Sequence, residues 1–425
     1  MKLENMNKDE LLALKAAAEQ ALADFKSRGL QLNMARGKPC TEQTDLSNGL
    51  QTTMTEFKDE NGADVRNYGN LEGIPELRRL FGQILGVDPE LVLVGGASSL
   101  NLMFDTVSHS FVHGVLEGMT PWYKLDKVKF LCPSPGYDRH FAVSDNFYIE
   151  NVTVPMQADG PDMDVVERLV SSDPAVKGIW VVPKYSNPTG ITFSDEVVRR
   201  FAALEPAAED FRIYWDNAYA VHDLYTEEEG RDHLLNLYDE LKKNGKEDMA
   251  YFFASTSKVT IAASGVGAMA MSPRNFEWAR KNMSVQAIGF NRVNQLRHAH
   301  FIPDMQALDE LMMRHAAIIR PKFQLVLSRL SEEIAPLDCC SWSEPRGGYF
   351  ISFNGPAGTA KRIVALCKEA GVVLTGAGAT YPYGKDPADS NIRIAPTFPP
   401  LEELAQAMEV FCWSVKLAAA EKYLG

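Results

Sequence analysis

Lys258 closes the run Ser255-Thr256-Ser257-Lys258, directly after the apolar stretch 250–254. Upstream stand Asn187-Pro188-Thr189-Gly190 and Asp216-Asn217-Ala218-Tyr219, each also just past an apolar run. An amine, a carboxylate, an amide and a phenol at predicted strand ends are the parts needed to hold a pyridoxal ring. The amine of Lys258 forms a Schiff base with an aldehyde, and Asp216 keeps a pyridine nitrogen protonated. Asn187 and Tyr219 hydrogen-bond the ring's phenolic oxygen. Singly, each has a plainer reading: Lys258 as a solvated surface lysine, Asp216 as a helix N-cap. The order and the shared placement at strand ends favour the chemistry.

Further residues complete such a site. Val94-Gly95-Gly96-Ala97-Ser98-Ser99 follows one apolar run and precedes a helical stretch at 100–111. Gly96 and Ala97 let the backbone come close to a phosphate, and the free N–H groups of a helix start favour an anion. Ser98, Ser99, Ser255 and Ser257 add hydroxyl donors; the alternative is an ordinary strand-turn-helix. Tyr137, in Pro133-Ser134-Pro135-Gly136-Tyr137, is placed to stack on an aromatic cofactor, or is simply a turn tyrosine. Arg393 lies in the apolar run Asn391-Ile392-Arg393-Ile394-Ala395 and needs an anion. Its planar fork matches a substrate α-carboxylate, with a structural salt bridge as the alternative. Gly37 lets the backbone approach the same carboxylate, and Asn187 also belongs to this substrate-facing set. Lys258 has a second role, carrying the proton to and from the substrate's α-carbon.

These residues need a scaffold. Apolar runs at 91–94, 128–131, 149–154, 179–182, 213–215, 250–254 and 267–271 predict seven strands. They are nearly continuous in apolar residues, as strands of a mostly parallel sheet buried on both faces are. Helices alternate with them, giving an α/β fold, and ligands of such sheets bind at the carboxyl ends of the strands. Residues 8–28 predict a helix stopped at Gly29, and 31–44 an irregular segment. Beyond residue 303 a long helical stretch is interrupted by Pro321, which predicts a kink or a junction. Strands at 348–353 and 391–394 and helices at 359–370 and 402–422 predict a smaller α+β domain. The expected division is residues 1–55 (joining the small domain), 56–315 (large cofactor-binding domain) and 316–425 (small domain). The Gly-, Tyr- and Pro-rich loop 375–390 is the candidate mobile or substrate-facing segment.

The chain has 425 residues, 45% of them hydrophobic and 23% charged, an ordinary globular composition. A formal net charge of -13 argues against nucleic-acid and anionic-membrane partners. Its six cysteines form no C-x-x-C pair and predict reduced thiols without a metal site. The polar, acidic residues 1–10 do not resemble a signal peptide, and no apolar run has the length of a membrane helix. The expectation is a cytoplasmic protein.

Tyr68, Gly96-Ala97-Ser98, Tyr137, Asn187-Pro188-Thr189-Gly190, Asp216 with Tyr219, Ser255-x-Ser257-Lys258 and Arg393 together resemble the class I aminotransferases of pyridoxal-phosphate fold type I. Ala35-Arg36-Gly37-Lys38-Pro39 and Asn294-Gln295-Leu296-Arg297-His298 resemble a divergent bacterial branch of aspartate aminotransferases, related to the aminotransferase-like domains of MocR-type regulators. The resemblance implies pyridoxal 5'-phosphate, amino acid and 2-oxo acid substrates, and a homodimer in which Tyr68 reaches the neighbouring subunit's phosphate. It implies transfer of the amino group of L-aspartate to 2-oxoglutarate by a ping-pong route. One departure stands out. The family's phosphate-binding arginine after the lysine has no counterpart in Ser264-Gly265-Val266-Gly267-Ala268, and Arg292 and Arg297 are candidate substitutes. For a second, side-chain carboxylate the candidates are Arg36, Lys38, Arg139, Arg292 and Arg297. Alternatives are another amino-acid donor, β-elimination or decarboxylation on the same cofactor, and a non-enzymatic effector-sensing role like that of MocR-type regulators.

Overall fold

The computed structural model describes residues 2–425. After an N-terminal helix, Lys8–Ser27, comes the two-residue strand β1 (Leu32–Asn33). The helix starts on a capping box at Asn7 and Glu10, and Gly29 just beyond it takes a left-handed φ of +65° that suits glycine. The main sheet follows: β2 (Val92–Val94), β3 (Lys129–Ser134), β4 (Glu150–Gln157), β5 (Gly160–Pro161), β6 (Val176–Val181), β7 (Arg212–Asp216), β8 (Ala250–Ser255) and β9 (Gly267–Met271). Their order is β2-β9-β8-β7-β6-β3-β4-β5. Strands β8, β7, β6, β3 and β4 pair in parallel, while β9 runs antiparallel to both of its neighbours. All seven expected strands are present. The eighth, β5, is a two-residue antiparallel return from β4, too short to leave a sequence pattern.

Successive residues of the central strands enter different cores, because side chains alternate across a sheet. Ile179, Val181, Ile213, Trp215, Phe252 and Ala254 join one core. Trp180, Tyr214, Tyr251 and Phe253 join another on the opposite face. Both faces are covered, and this explains the unbroken apolar runs.

A third core gathers the N-terminal helix, the chain beyond about residue 319 and the C-terminal helix Leu401–Leu424. It includes β10 (Ser341–Trp342), β11 (Ile351–Asn354) and β13 (Asn391–Ile394), an antiparallel sheet of order β10-β11-β13. The remaining strand, β12 (Val372–Val373), pairs in parallel with β1. No junction breaks the chain at Pro321: Met305–Glu333 is one helix that runs through it. Pro321 faces solvent, while Leu308, Leu311 and Met312 are buried in the first core and Ile319, Phe323, Val326 and Leu330 in the third. Two buried stripes anchoring one helix offset the roughly 3 kcal/mol that an interior proline costs.

Candidate active site

The parallel register brings the carboxyl ends of β2, β8, β7, β6 and β3 to one edge of the sheet. Asp216 is the last residue of β7, and Lys258 lies three residues past the end of β8. Tyr137 lies three past β3, Gly96 two past β2, and Asn187 in the loop after β6. The expected residues therefore do converge on one edge.

Lys258 Nζ sits 4.7 Å from the centre of the Tyr219 ring. Beneath it, the Lys258 carbonyl accepts from Tyr349 Oη at 3.3 Å and from His222 Nε2 at 3.4 Å. Gln43 Nε2 in turn donates to Tyr349 Oη at 3.0 Å. Because the carbonyl only accepts, His222 carries its proton on Nε2. Burial holds His222 neutral, its pKa pulled down to about 3, and nearby Lys258 adds to the effect. Burial likewise raises the Tyr219 phenol well above its ordinary range, partly offset by Arg393.

Asp216 is 1% exposed. Its Oδ2 meets His140 Nε2 at 3.1 Å, and the His140 ring stacks on Trp180 with centroids 4.8 Å apart. Its Oδ1 is buried with no partner. A lone carboxylate oxygen in such a place is costly unless a cationic donor meets it. The Tyr137 ring stands edge-on to His140 at 4.9 Å, and burial pushes its phenol up to about 12. His140 escaped the sequence reading, although it lies one helical turn beyond Tyr137.

The glycine turn after β2 forms a cup. Gly96 has a φ of +69°, and the helix Ser99–His113 begins three residues later. Gly95 N donates to the Gly267 carbonyl at 2.8 Å, tying the turn to the start of β9. Ser257 Oγ donates to the Ala97 carbonyl at 3.2 Å and lies 3.2 Å from Ser255 Oγ. Ser98 Oγ bonds Asn101 Oδ1 at 3.1 Å. The segments 94–99 and 264–268 contain no lysine or arginine. Of the candidate substitutes, Arg292 is buried and donates to the carbonyls of Asp64 (3.2 Å) and Asn67 (2.5 Å). Arg297 is partly buried on the same helix.

Arg393, on β13, is 7% exposed. Its Nη1 meets Asp138 Oδ1 at 2.9 Å and Asn187 Oδ1 at 3.3 Å, and its Nη2 lies 3.4 Å from Thr375 Oγ1. Its plane lies over Phe350 at 4.9 Å, and its Nε is buried without a partner. Gly37 packs against the tip of the same Phe350 ring: a Cβ there would stand 2.3 Å from Phe350 Cζ, so only glycine fits. Asp138 was not anticipated, being an unremarkable acid at the start of a helix. From the loop 375–390, Thr375 reaches Arg393, and the Thr380 carbonyl accepts from Gly136 N at 2.7 Å. Arg36, Lys38 and Arg139 are exposed, and Lys38 Nζ lies over Phe398 at 3.8 Å. Tyr68 projects from the surface, 83% exposed. All six cysteines are free thiols, no metal-ligand cluster occurs among the described residues, and no described helix is long and apolar enough to cross a membrane.

The family model for aspartate amino-transferase matches residues 6–425. An aspartate aminotransferase of Corynebacterium glutamicum is 46% identical over 94% of this chain and 92% of its own. The crystal structure of an aspartate transaminase from the same species superposes with a TM-score of 0.96 at 43% identity, covering 100% of this chain and 99% of that one. At 19% identity, an alpha-aminoadipate aminotransferase of Thermus thermophilus, complexed with N-(5'-phosphopyridoxyl)-L-leucine, shares the fold with a TM-score of 0.71, over 96% of this chain and 95% of that one. With a family model matched along nearly its whole length, the chain belongs to the aspartate amino-transferase family.

Proposed function

We propose that this chain is a pyridoxal 5'-phosphate-dependent aminotransferase that takes the amino group of L-aspartate and delivers it to 2-oxoglutarate. The observation that carries the cofactor assignment is the buried, unpartnered Oδ1 of Asp216, which suits the N–H of a protonated pyridine ring. The relatives carry the choice of aspartate. When bound, the cofactor supplies an electron sink that acidifies the substrate's α-carbon.

The chain's residues do the rest. Lys258 holds the cofactor between turnovers and then moves the proton at the substrate's α-carbon. Its carbonyl is pinned by Tyr349 and His222, which fixes the start of the side chain's swing. Asp216, steadied by His140, keeps the ring nitrogen protonated. Asn187 and Tyr219 bond the ring oxygen and Tyr137 stacks on the ring. Gly96, Ala97, Ser98, Ser99, Ser255 and Ser257 hold the phosphate through N–H groups, hydroxyls and the helix start. Arg393 takes the α-carboxylate, with the backbone at Gly37 alongside. The working unit is a cytoplasmic homodimer in which Tyr68 completes the partner's phosphate site; a tyrosine 83% exposed in one subunit supports that reading.

An absorbance titration of the purified protein tests this. A visible band should fade with L-aspartate and return with 2-oxoglutarate, and Lys258→Ala should lack it and lose activity on the order of 10⁴-fold. A band that ignores aspartate but answers another amino acid overturns the substrate. No band after adding pyridoxal phosphate overturns the cofactor.

A further inference from the structure

The helix Arg292–Phe301 places four polar side chains in the interior: Arg292, Asn294, Gln295 and His298 are 5%, 8%, 1% and 0% exposed. None is spent on another charged group in its bonds. Three of the heads leave the helix entirely, and the fourth leaves it by one ring nitrogen. Gln295 accepts from Ile74 N at 2.9 Å through Oε1 and donates to the Val94 carbonyl at 3.1 Å through Nε2. It therefore joins the loop that carries Tyr68 to the last residue of β2, where the cup begins. Arg292 holds the same loop from the other side of Tyr68, at the Asp64 and Asn67 carbonyls.

Asn294 works on the lysine side. Its Nδ2 donates to the carbonyls of Ser264 (3.0 Å) and Gly265 (3.3 Å), and its Oδ1 accepts from Ser264 Oγ at 3.2 Å. His298 Nδ1 faces the Asn294 carbonyl at 2.8 Å, so the proton sits there and Nε2 accepts the Thr260 hydroxyl at 2.9 Å. Just before the helix the chain packs against the Tyr68 loop and the glycine turn after β2. A Cβ on Gly289 would stand 2.6 Å from the Gly69 carbonyl, and one on Gly95 would stand 2.4 Å from Phe290. Apolar side chains would fill this helix at less desolvation cost. Gln295 joins the backbone of two separate segments, and Asn294 spends both ends on the one turn at Ser264-Gly265; buried amides satisfied in this way specify geometry instead.

We infer that Gln295 and Asn294 are positioning residues for the anion cup, one clamping the Tyr68 loop to β2 and the other clamping the loop after Lys258. The clamp gives the cup its fixed spacing without placing a cation in the 264–268 stretch. It rests on the reading that the cup holds the cofactor's phosphate.

The test compares full-length wild type with Gln295→Met, Asn294→Leu and the milder Asn294→Ser, all carrying their cofactor. Two quantities are read: the rate of cofactor release on dilution, followed by the visible band, and amide exchange across residues 66–74. Release should quicken about tenfold in Gln295→Met and Asn294→Leu, the effect of leaving buried backbone groups unpaired. Exchange at 66–74 should quicken in Gln295→Met alone. Release within twofold of wild type in every variant that folds, with only the melting temperature lowered, overturns the clamp. If wild type carries no pyridoxal phosphate, the proposed function falls instead. Exchange at 66–74 then decides the clamp, and equal protection in Gln295→Met overturns it.

Discussion

At one end of the site the cup of Gly96–Ser99, Ser255 and Ser257 offers an anion neutral donors only, held by bonds to the backbone. At the other end Arg393 offers a full charge, and that charge already has a carboxylate, Asp138, at 2.9 Å. The two ends suit two kinds of guest. An anion that stays through every turnover is well served by fixed dipoles, which need no reorganisation and leave no stray charge when the site is full. An anion that enters and leaves each cycle exposes its receptor in between, and a buried guanidinium without a counter-ion would be costly. Asp138, partly open to solvent, is the counter-ion that Arg393 has in this structure.

The strongest way to break this comparison is Arg393→Leu. Steady-state kinetics should show kcat/KM for aspartate falling about 10³-fold, the cost of leaving the substrate's α-carboxylate unpaired, while the cofactor's release rate stays near wild type. If cofactor release quickens as well, the two ends are not separate. Next in size, Ser257→Ala should raise the cofactor's apparent Kd about tenfold, read by fluorescence titration, with little change in KM for aspartate. A smaller effect separates two roles for Asp138. If it competes with substrate, Asp138→Asn lowers the inhibition constant of simple dicarboxylates about three- to tenfold; if it rises, Asp138 orients Arg393 instead.

The smallest effect concerns the buried histidines beneath Lys258. His222 has its folded pKa lowered to about 3, and His315, a buried histidine 3.0 Å from the Val259 carbonyl and from Gln43 Nε2, to about 4, both chiefly by burial. Below pH ~6.5 the unfolded chain binds protons that the folded chain refuses, so stability falls as pH falls through that window. His222→Gln should therefore flatten the decline in melting temperature between pH ~6.5 and ~4. An unchanged slope would place the acid sensitivity elsewhere.

Seven strands and the edge they share were legible because a sheet buried on both faces writes contiguous apolar runs, and because Lys258, Asp216 and Asn187 each follow one. What stayed hidden had no local signature. The strands β1, β5, β10 and β12 have two residues each, too few for a period of two to register. That the helix continues through Pro321 was hidden because its neighbours' burial in two cores is a tertiary fact. His140 behind Asp216 and Asp138 on Arg393 are partnerships across 76 and 255 residues of chain, which no spacing rule reaches.

The pairing of β1 with β12, and of the N-terminal helix with the C-terminal one, has a consequence for synthesis. The helix Lys8–Ser27 leaves the ribosome long before Leu401–Leu424, yet its buried residues Leu11, Ala18, Leu22 and Phe25 close on that later helix. Its apolar stripe waits uncovered while the whole parallel sheet is made. Nascent chains halted before residue 401 should thus bind a holdase chaperone through residues 8–27, and the finished chain should not.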